Sequence, residues 1–156
     1  YKIFFEKQKK EISDEIFTLN DSIKSDAVFN ITPNNYTNIL QTVTDNIDSY
    51  IGLKIHFTGY VYRLIDFAEN EFVLARNMKV KQNSSQTLVV GFLCTFNDAK
   101  NFADGTWVDV TGTITKGNYY GDIALIKVIQ MYEIDKPEDT LVNPPDNTYI
   151  PTINIL

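Results

Sequence analysis

Between residues 53 and 134 the sequence has a period of two, carried by four segments, with a fifth segment that is apolar throughout, and this pattern restricts the fold more than any other feature. A period of two is typical of β-strands with one buried face. The connections between the segments are short and mostly polar, which indicates turns. The five predicted strands are residues 53–63, 71–80, 87–96, 106–117 and 123–134.

A short helix is predicted between the third and fourth strands. Asn97 can cap it and Gly105 can end it, so residues 97–105 hold one or two turns. The third strand, "TLVVGFLCTF", is apolar enough to be buried on both faces. The order strand, strand, strand, helix, strand, strand is that of the OB-fold, a five-stranded Greek-key barrel. The prediction is therefore a mostly β domain, a five-stranded OB-fold-like Greek-key barrel with one short helix between its third and fourth strands.

A Thr-Gly step recurs in "KIHFTGYVYR" and "WVDVTGTITKG". In both strands the glycine, Gly59 or Gly112, falls where the alternation calls for a core side chain. An inward glycine lets a strand bend sharply in a small barrel, because no Cβ enters the crowded interior. Chance similarity between two threonine-rich strands is the alternative.

The segments outside the barrel divide the chain further. Apolar residues at spacings of three and four predict an amphipathic helix over residues 33–50, with Thr32 as cap, Pro33 at the first position and Gly52 as stop. A second helix is predicted within residues 10–24, and "SDAVFNI" is predicted to be extended. The resulting units are an N-terminal juxtamembrane or helical segment (1–31), the OB-like domain with its leading helix (32–136) and an extended, proline-containing tail (137–156).

Composition excludes several classes of function. The formal net charge of −6 disfavours nucleic acid, whose binding relies on clustered Lys and Arg. The single cysteine, Cys94, is predicted to be a small buried hydrophobic residue in a strand. One cysteine and one histidine, His56, cannot form the usual four-ligand zinc site. No visible carboxylate accompanies His56, which favours an exposed or packing role. We find no catalytic residues, metal ligands or cofactor motif, and we expect a protein that is not an enzyme.

Binding residues are expected where an OB-fold presents ligands, on its second and third strands and on the loops that follow the first and fourth. Aromatic rings with a few cations could stack on a base or a sugar, or hold a protein. The alternative for "NYYG" is an ordinary hairpin whose aromatics fold over the barrel end. The candidate ligand-binding residues are Arg63, Phe67, Arg76, Lys116, Tyr119 and Tyr120.

The segments "IGLKIHFTGYVYR", "FVLARNM", "VVGFLCTF", "DGTWVDVTGTITKGNYYGDI" and "PPDNTYIPT" resemble, in order, the C-terminal domain of the bacterial YcgQ-like family. The resemblance covers roughly residues 30–152. Members are described as subunits of predicted permeases, and their function is unknown. One departure is "VKQNSSQ", with Lys81 and Gln82 near the positions where many members carry adjacent cysteines. A thiol-based activity is therefore not carried over to this chain.

The resemblance implies two membrane-spanning helices upstream of a domain that faces the extracellular side of the cell membrane, beside a multi-spanning permease. The start at Tyr1 without methionine and the aromatic, lysine-containing residues 1–10 fit a chain leaving a bilayer, or equally the frayed start of a helix. We therefore expect a non-enzymatic accessory module of a permease, with the apolar tail "YIPTINIL" and the 33–50 helix as candidate contact surfaces. The alternatives are a module that binds a small ligand or glycan and, less favoured, one that binds single-stranded nucleic acid. The oligomeric state is left open.

Overall fold

The computed structural model describes residues 27–81, 83, 85–146 and 154–155. Five long strands, β2 to β6, correspond to the five predicted strands. Three shorter strands extend the sheet. The elements are β1 Ala27–Asn30, α1 Tyr36–Asp45, α2 Ile47–Tyr50, β2 Lys54–Tyr62, β3 Glu71–Lys79, β4 Thr87–Thr95, a 3₁₀ helix Ala99–Asn101, β5 Trp107–Asn118, β6 Asp122–Glu133, β7 Leu141–Val142 and β8 Asn154–Ile155.

Strands β2 to β6 form a closed barrel. The neighbours run β3-β4-β6-β5-β2, and β2 also pairs with β3, which closes the ring. The β4–β6 contact is short and parallel, over Leu93–Thr95 only. This topology, with a 3₁₀ helix between the third and fourth barrel strands, confirms the predicted OB-fold. The expected helix is reduced to three residues, Ala99–Asn101, of which Ala99 is buried.

The two glycines of the Thr-Gly steps are buried on the neighbouring strands β2 and β5, four register positions apart. Gly59 is the register partner of Val108, and Gly112 that of Ile55. A Cβ atom on Gly59 would lie 2.6 Å from the Ala75 carbonyl oxygen of β3. A Cβ on Gly112 would lie 2.6 Å from atoms of β6, at a point where the β5–β6 register shifts. An inward Cβ would therefore clash at both positions, as expected, and the atoms that it would meet belong to neighbouring strands that approach closely.

The leading helix is shorter than predicted and is broken. Residues 33–35 form a turn in which the Asn35 side chain accepts a hydrogen bond from the Thr32 N–H, so α1 starts only at Tyr36. Asn46, with a non-helical backbone, then separates α1 from α2. Gly52 ends the helical region at φ 93°, as expected of a stop residue.

Helix α1 packs its apolar side on the barrel. Tyr36 is buried, donates a hydrogen bond of 2.8 Å to the Leu74 carbonyl oxygen and lies against Phe57 with ring centroids 6.3 Å apart. Ile39 and Val43 join the same core. The predicted apolar stripe is therefore right, and the helix covers part of the barrel's interior.

The expectation that the third barrel strand is buried on both faces is wrong for its first half. Leu88 and Val89 are 55 % and 44 % exposed, whereas Phe92 and Cys94 are buried. The reason is that β6 pairs only with the last three residues of β4. The first half of β4 therefore lies outside the closed part of the barrel.

The predicted extended segments add short strands to the sheet. β1 runs parallel to β2, β7 runs parallel to the end of β3, and Asn154–Ile155 pair antiparallel with β1. The helix predicted within residues 10–24 and most of "YIPTINIL" lie outside the described residues. Within the part of the chain that the structure describes, no helix is long and apolar enough to cross a membrane.

Candidate functional site

Two loops meet at one end of the barrel and bring aromatic residues together. Residues 63–70 connect β2 to β3, and residues 119–121 connect β5 to β6. The ring of Phe67 lies 5.6 Å from that of Tyr119, and Tyr119 lies 4.8 Å from Tyr120, both in edge-to-face geometry. Contacts of this kind stabilise aromatic pairs beyond the burial of their area. Three of the six predicted binding residues therefore form one cluster.

Asp66 fixes the ring of Tyr119. The Tyr119 hydroxyl donates to the Asp66 carboxylate at 3.0 Å, across 53 residues of sequence. Partial burial, followed by this hydrogen bond, raises the pKa of the Tyr119 phenol. The phenol is therefore a neutral donor at physiological pH, and it ties the two loops together.

Tyr120 occupies an unusual backbone conformation at the tip of the hairpin. Its φ of 57° is the one positive value among the described non-glycine residues, and Gly121 follows with φ 134°. A bulky residue in the left-handed region is uncommon and costs free energy. The side chain is nevertheless 89 % exposed. Neither burial nor backbone preference explains a tyrosine at this position, which makes it a candidate contact residue.

Ile65 adds an aliphatic side chain to the same end and was not predicted from the sequence. It is fully exposed in the loop that carries Asp66 and Phe67, and Leu64 before it is 39 % exposed. The available signal was two consecutive apolar residues, Leu64 and Ile65, in the connection between two strands. We call Ile65, Phe67, Tyr119 and Tyr120 the loop cluster.

Two of the predicted cations are engaged with the protein itself. Arg63 donates 2.6 Å hydrogen bonds to the Asp104 carboxylate and to the Ala99 carbonyl oxygen, so it holds the 3₁₀ helix and the following turn. Lys116 lies 2.7 Å from Asp48 in α2, and this hydrogen bond and charge raise the pKa of the lysine. Neither cation joins the loop cluster.

Arg76 is inside the protein, at the place where β2 and β3 separate. It is 2 % exposed and donates to the carbonyl and hydroxyl oxygens of Thr58 and to the Asp139 carbonyl oxygen. Its guanidinium lies 4.9 Å from the centre of the Trp107 ring. Burial lowers the pKa of the guanidinium below its ordinary value. This environment assigns Arg76 to the packing of the tail, not to a ligand surface.

His56 has a carboxylate companion that the sequence pattern did not indicate. His56 Nε2 lies 2.9 Å from Asp109 Oδ2 on β5, and Nδ1 lies 3.1 Å from Asn30 Oδ1 on β1. The negative charge of Asp109 also raises the pKa of the Tyr132 phenol. Asn30, His56 and Asp109 lie on three neighbouring strands, so His56 links β1 to the barrel. Local sequence patterns do not indicate which strands are neighbours.

Cys94 is fully buried with a free thiol, and burial raises the pKa of that thiol. This confirms the interpretation of Cys94 as a core residue, since a reactive cysteine is an accessible thiolate. Across the described ranges, no group of three or more His, Cys, Asp or Glu residues could hold a metal ion.

A groove of about 610 Å³ lies between α1 and the β3–β4 hairpin, away from the residues of the loop cluster. Leu40 and Thr44 of α1 line it on one side, and Val89, Val90 and Gly91 of β4 line it on the other. Its volume is in the range of ligand-binding clefts.

The chain matches the family described as the DUF1980 C-terminal domain over residues 6–144. It belongs to that family. Membership in the DUF1980 C-terminal domain family agrees with the sequence resemblance at the level of the domain, while the permease link and the cysteine-lacking subgroup stay predictions. Comparison with curated proteins finds no match.

Several solved structures align with part of this DUF1980 domain at low sequence identity. The N-terminal domain of PriB from Thermoanaerobacter tencongensis is 15 % identical, with a TM-score of 0.36, and the alignment covers 53 % of this chain and 97 % of that one. A small single-stranded DNA-binding protein from Streptomyces coelicolor is 18 % identical, with a TM-score of 0.35 and coverages of 53 % and 93 %. The yeast mitochondrial single-stranded DNA-binding protein Rim1 is 15 % identical, with a TM-score of 0.34 and coverages of 55 % and 97 %.

Proposed function

We propose that this domain is a non-enzymatic interaction module whose contact surface is the loop cluster. The observation that carries the proposal is Tyr120, which is 89 % exposed in a left-handed conformation, while Ile65 on the other loop is fully exposed. Exposed aromatic and aliphatic side chains on a rigid support are what a protein partner buries at the centre of an interface. Asp66 supplies the rigidity by holding Tyr119.

The proposed partner is a multi-spanning membrane permease, with the domain on the extracellular side of the cell membrane. This part of the proposal is supported by the sequence resemblance, in which the domain follows membrane-spanning helices. The apolar character of Ile65 and Leu64 favours a protein contact over a solvated ligand, since such side chains gain from being removed from water.

The test is co-purification in detergent of the full-length protein with the permease encoded beside it. We expect the double variant Ile65→Asp, Tyr120→Ala to lower permease recovery at least about tenfold, because central contact residues each contribute 1–2 kcal/mol or more. Ile129→Asp is the matched control, since Ile129 is 59 % exposed on β6 outside the loops. Equal recovery with both variants, or no association of the unmodified protein, would refute the proposal.

A small extracellular ligand or glycan is the second candidate, favoured by the row of three rings in which Phe67 lies 5.6 Å and Tyr120 lies 4.8 Å from Tyr119. It predicts that Tyr119→Ala removes binding on a glycan array without lowering Tm, whereas an equal loss of stability would favour a packing role. Single-stranded nucleic acid is disfavoured by the charge of −6 and by the carboxylate partners of Arg63 and Lys116. A mobility-shift assay at low salt distinguishes it.

A further inference from the structure

Strand β4 has an unpaired edge along its first six residues. β4 pairs with β3 over its whole length, Thr87–Thr95, but with β6 only over Leu93–Thr95. Among the described residues, no strand lies against the other edge of residues 87–92. In an antiparallel strand every second residue directs its N–H and C=O away from the partner. Residues 87–92 therefore present backbone donors and acceptors that another strand could use.

Natural proteins usually protect such an edge with charged residues or proline. The six residues "TLVVGF" contain neither. Leu88 and Val89 are about half exposed, although they belong to the most apolar strand of the domain. An open edge without such protection favours aggregation of the free protein. The same edge is suited to binding a partner strand that covers it.

The groove beside α1 follows this edge. Val89, Val90 and Gly91 all line it, and consecutive residues of a strand point to opposite faces, so the groove runs past the edge itself. Leu40 and Met78 line the side of the groove that packs toward the core, and Val73 lines the opposite side of the groove. At about 3.4 Å per residue, the six open residues extend about 20 Å, the length of an ordinary strand.

We propose that the groove binds an extended, alternately apolar peptide segment of a partner protein, which adds to β4 as a further strand. Main-chain hydrogen bonds to the open edge would provide affinity, and alternate side chains would enter the two apolar sides of the groove. The protein has a formal net charge of −6, so a segment that carries Lys or Arg is favoured over an acidic one. The inference is independent of the loop cluster and of the permease.

The opposite wall decides between a peptide and a second copy of the domain. Leu40 and Thr44 of α1 line the groove across from the β4 edge. A second β4 would bring its own β3 and its own α1 to the groove, opposite the α1 already there. A single extended segment brings only its own side chains and needs less space. The occupant is therefore a linear segment, not an edge-to-edge dimer.

The experiment is selection of peptides from a displayed library of random eight-residue sequences on the full chain. We expect enriched sequences to alternate apolar and polar residues and to carry Lys or Arg more often than Asp or Glu. An enriched peptide should slow amide hydrogen exchange at alternate residues between Thr87 and Phe92. N-methylation of the peptide residues whose N–H groups face β4 should abolish binding. N-methylation of the intervening residues should leave binding unchanged, because only one edge of the peptide pairs with β4.

Two variants locate the site without touching the core. Val89→Lys adds a charge to the edge, and Thr44→Trp fills the groove from α1, where Thr44 is exposed. Each should weaken the selected peptide at least tenfold, while Ile129→Lys, an equally drastic change on exposed β6, should not. No enrichment, binding that survives both variants, or exchange protection elsewhere would overturn the proposal. Concentration-dependent self-association that Val89→Lys removes would also overturn it, in favour of a second copy.

Discussion

At the residue scale, Gly112 is required by the approach of β6. A valine there would place its Cβ 2.6 Å from Ile126 Cγ2 and from the Lys127 carbonyl oxygen, and a backbone oxygen cannot move aside cheaply. We expect Gly112→Val to lower the free energy of unfolding by about 3 kcal/mol or more. Thr111→Val, on the opposite face of the same strand, should change it by less than about 0.5 kcal/mol. Urea denaturation measures both, and a stable Gly112→Val protein would show that the close approach is not maintained.

Cys94 gives a residue-scale prediction on pH. Burial raises the pKa of this thiol above its ordinary value of 9.0, so above pH 9 the unfolded chain loses the proton while the folded chain keeps it. Rising pH therefore favours unfolding, and stability that is fully present below pH 9 is progressively lost. Relative to Cys94→Ala, the unmodified protein should lose about 1.4 kcal/mol per pH unit above 9. Denaturation from pH 7 to 10.5 measures this difference, and a constant difference would contradict the prediction.

At the element scale, Arg76 joins β2, β3 and the tail. Its three hydrogen bonds satisfy oxygens of the half-buried Thr58 and of Asp139, so Arg76→Met removes all three bonds and leaves these acceptors without their donor. We expect a loss of about 3 kcal/mol in the free energy of unfolding. Arg63→Met is the matched control and should cost only about 1 kcal/mol, because its partner Asp104 is 65 % exposed. A loss of ligand binding by Arg76→Met without a loss of stability would instead restore Arg76 to a binding role.

Elements also show which parts of the candidate site the sequence could predict. Phe67 and Tyr119 were predictable, because apolar rings in loops that flank a barrel end have few alternatives to clustering there. The cations were not, since Arg63 meets Asp104 at a distance of 41 residues and Arg76 meets Asp139 at 63. A local pattern shows that a cation is present but not which distant oxygen accepts its hydrogen bonds.

For the whole molecule, strand alternation predicted the barrel because each strand has one face in the interior. Closure was harder to predict in detail. β4 meets β6 for only three residues, so a uniformly apolar strand such as "TLVVGFLCTF" is half buried and half open. The 33–50 helix was interrupted for a local reason, the non-helical backbone of Asn46, which an apolar stripe cannot reveal. The pairing of β1 and β7 with barrel strands depends on contacts distant in sequence.

The tail acts on the molecule as a whole because it connects β3 to α1. Leu141–Val142 pair with β3, the Thr37 hydroxyl donates to the Asn143 carbonyl oxygen at 2.6 Å, and the Asn38 side chain accepts from the Asp146 N–H at 2.6 Å. Removing both side-chain bonds in Thr37→Val, Asn38→Ala should release the tail locally without opening the barrel, since local openings cost less than global unfolding.

The measurement for this double variant is native-state hydrogen exchange. With each hydrogen bond contributing about 1 kcal/mol, the Val142 amide should exchange about 30-fold faster, while Val110 in the barrel should keep its rate. Thr44→Val, the same chemical change on an exposed position of α1, should leave Val142 unaffected. If Val142 and Val110 accelerate together, the tail and barrel open as one cooperative unit, and the tail is an integral part of the fold instead of a strap laid over it.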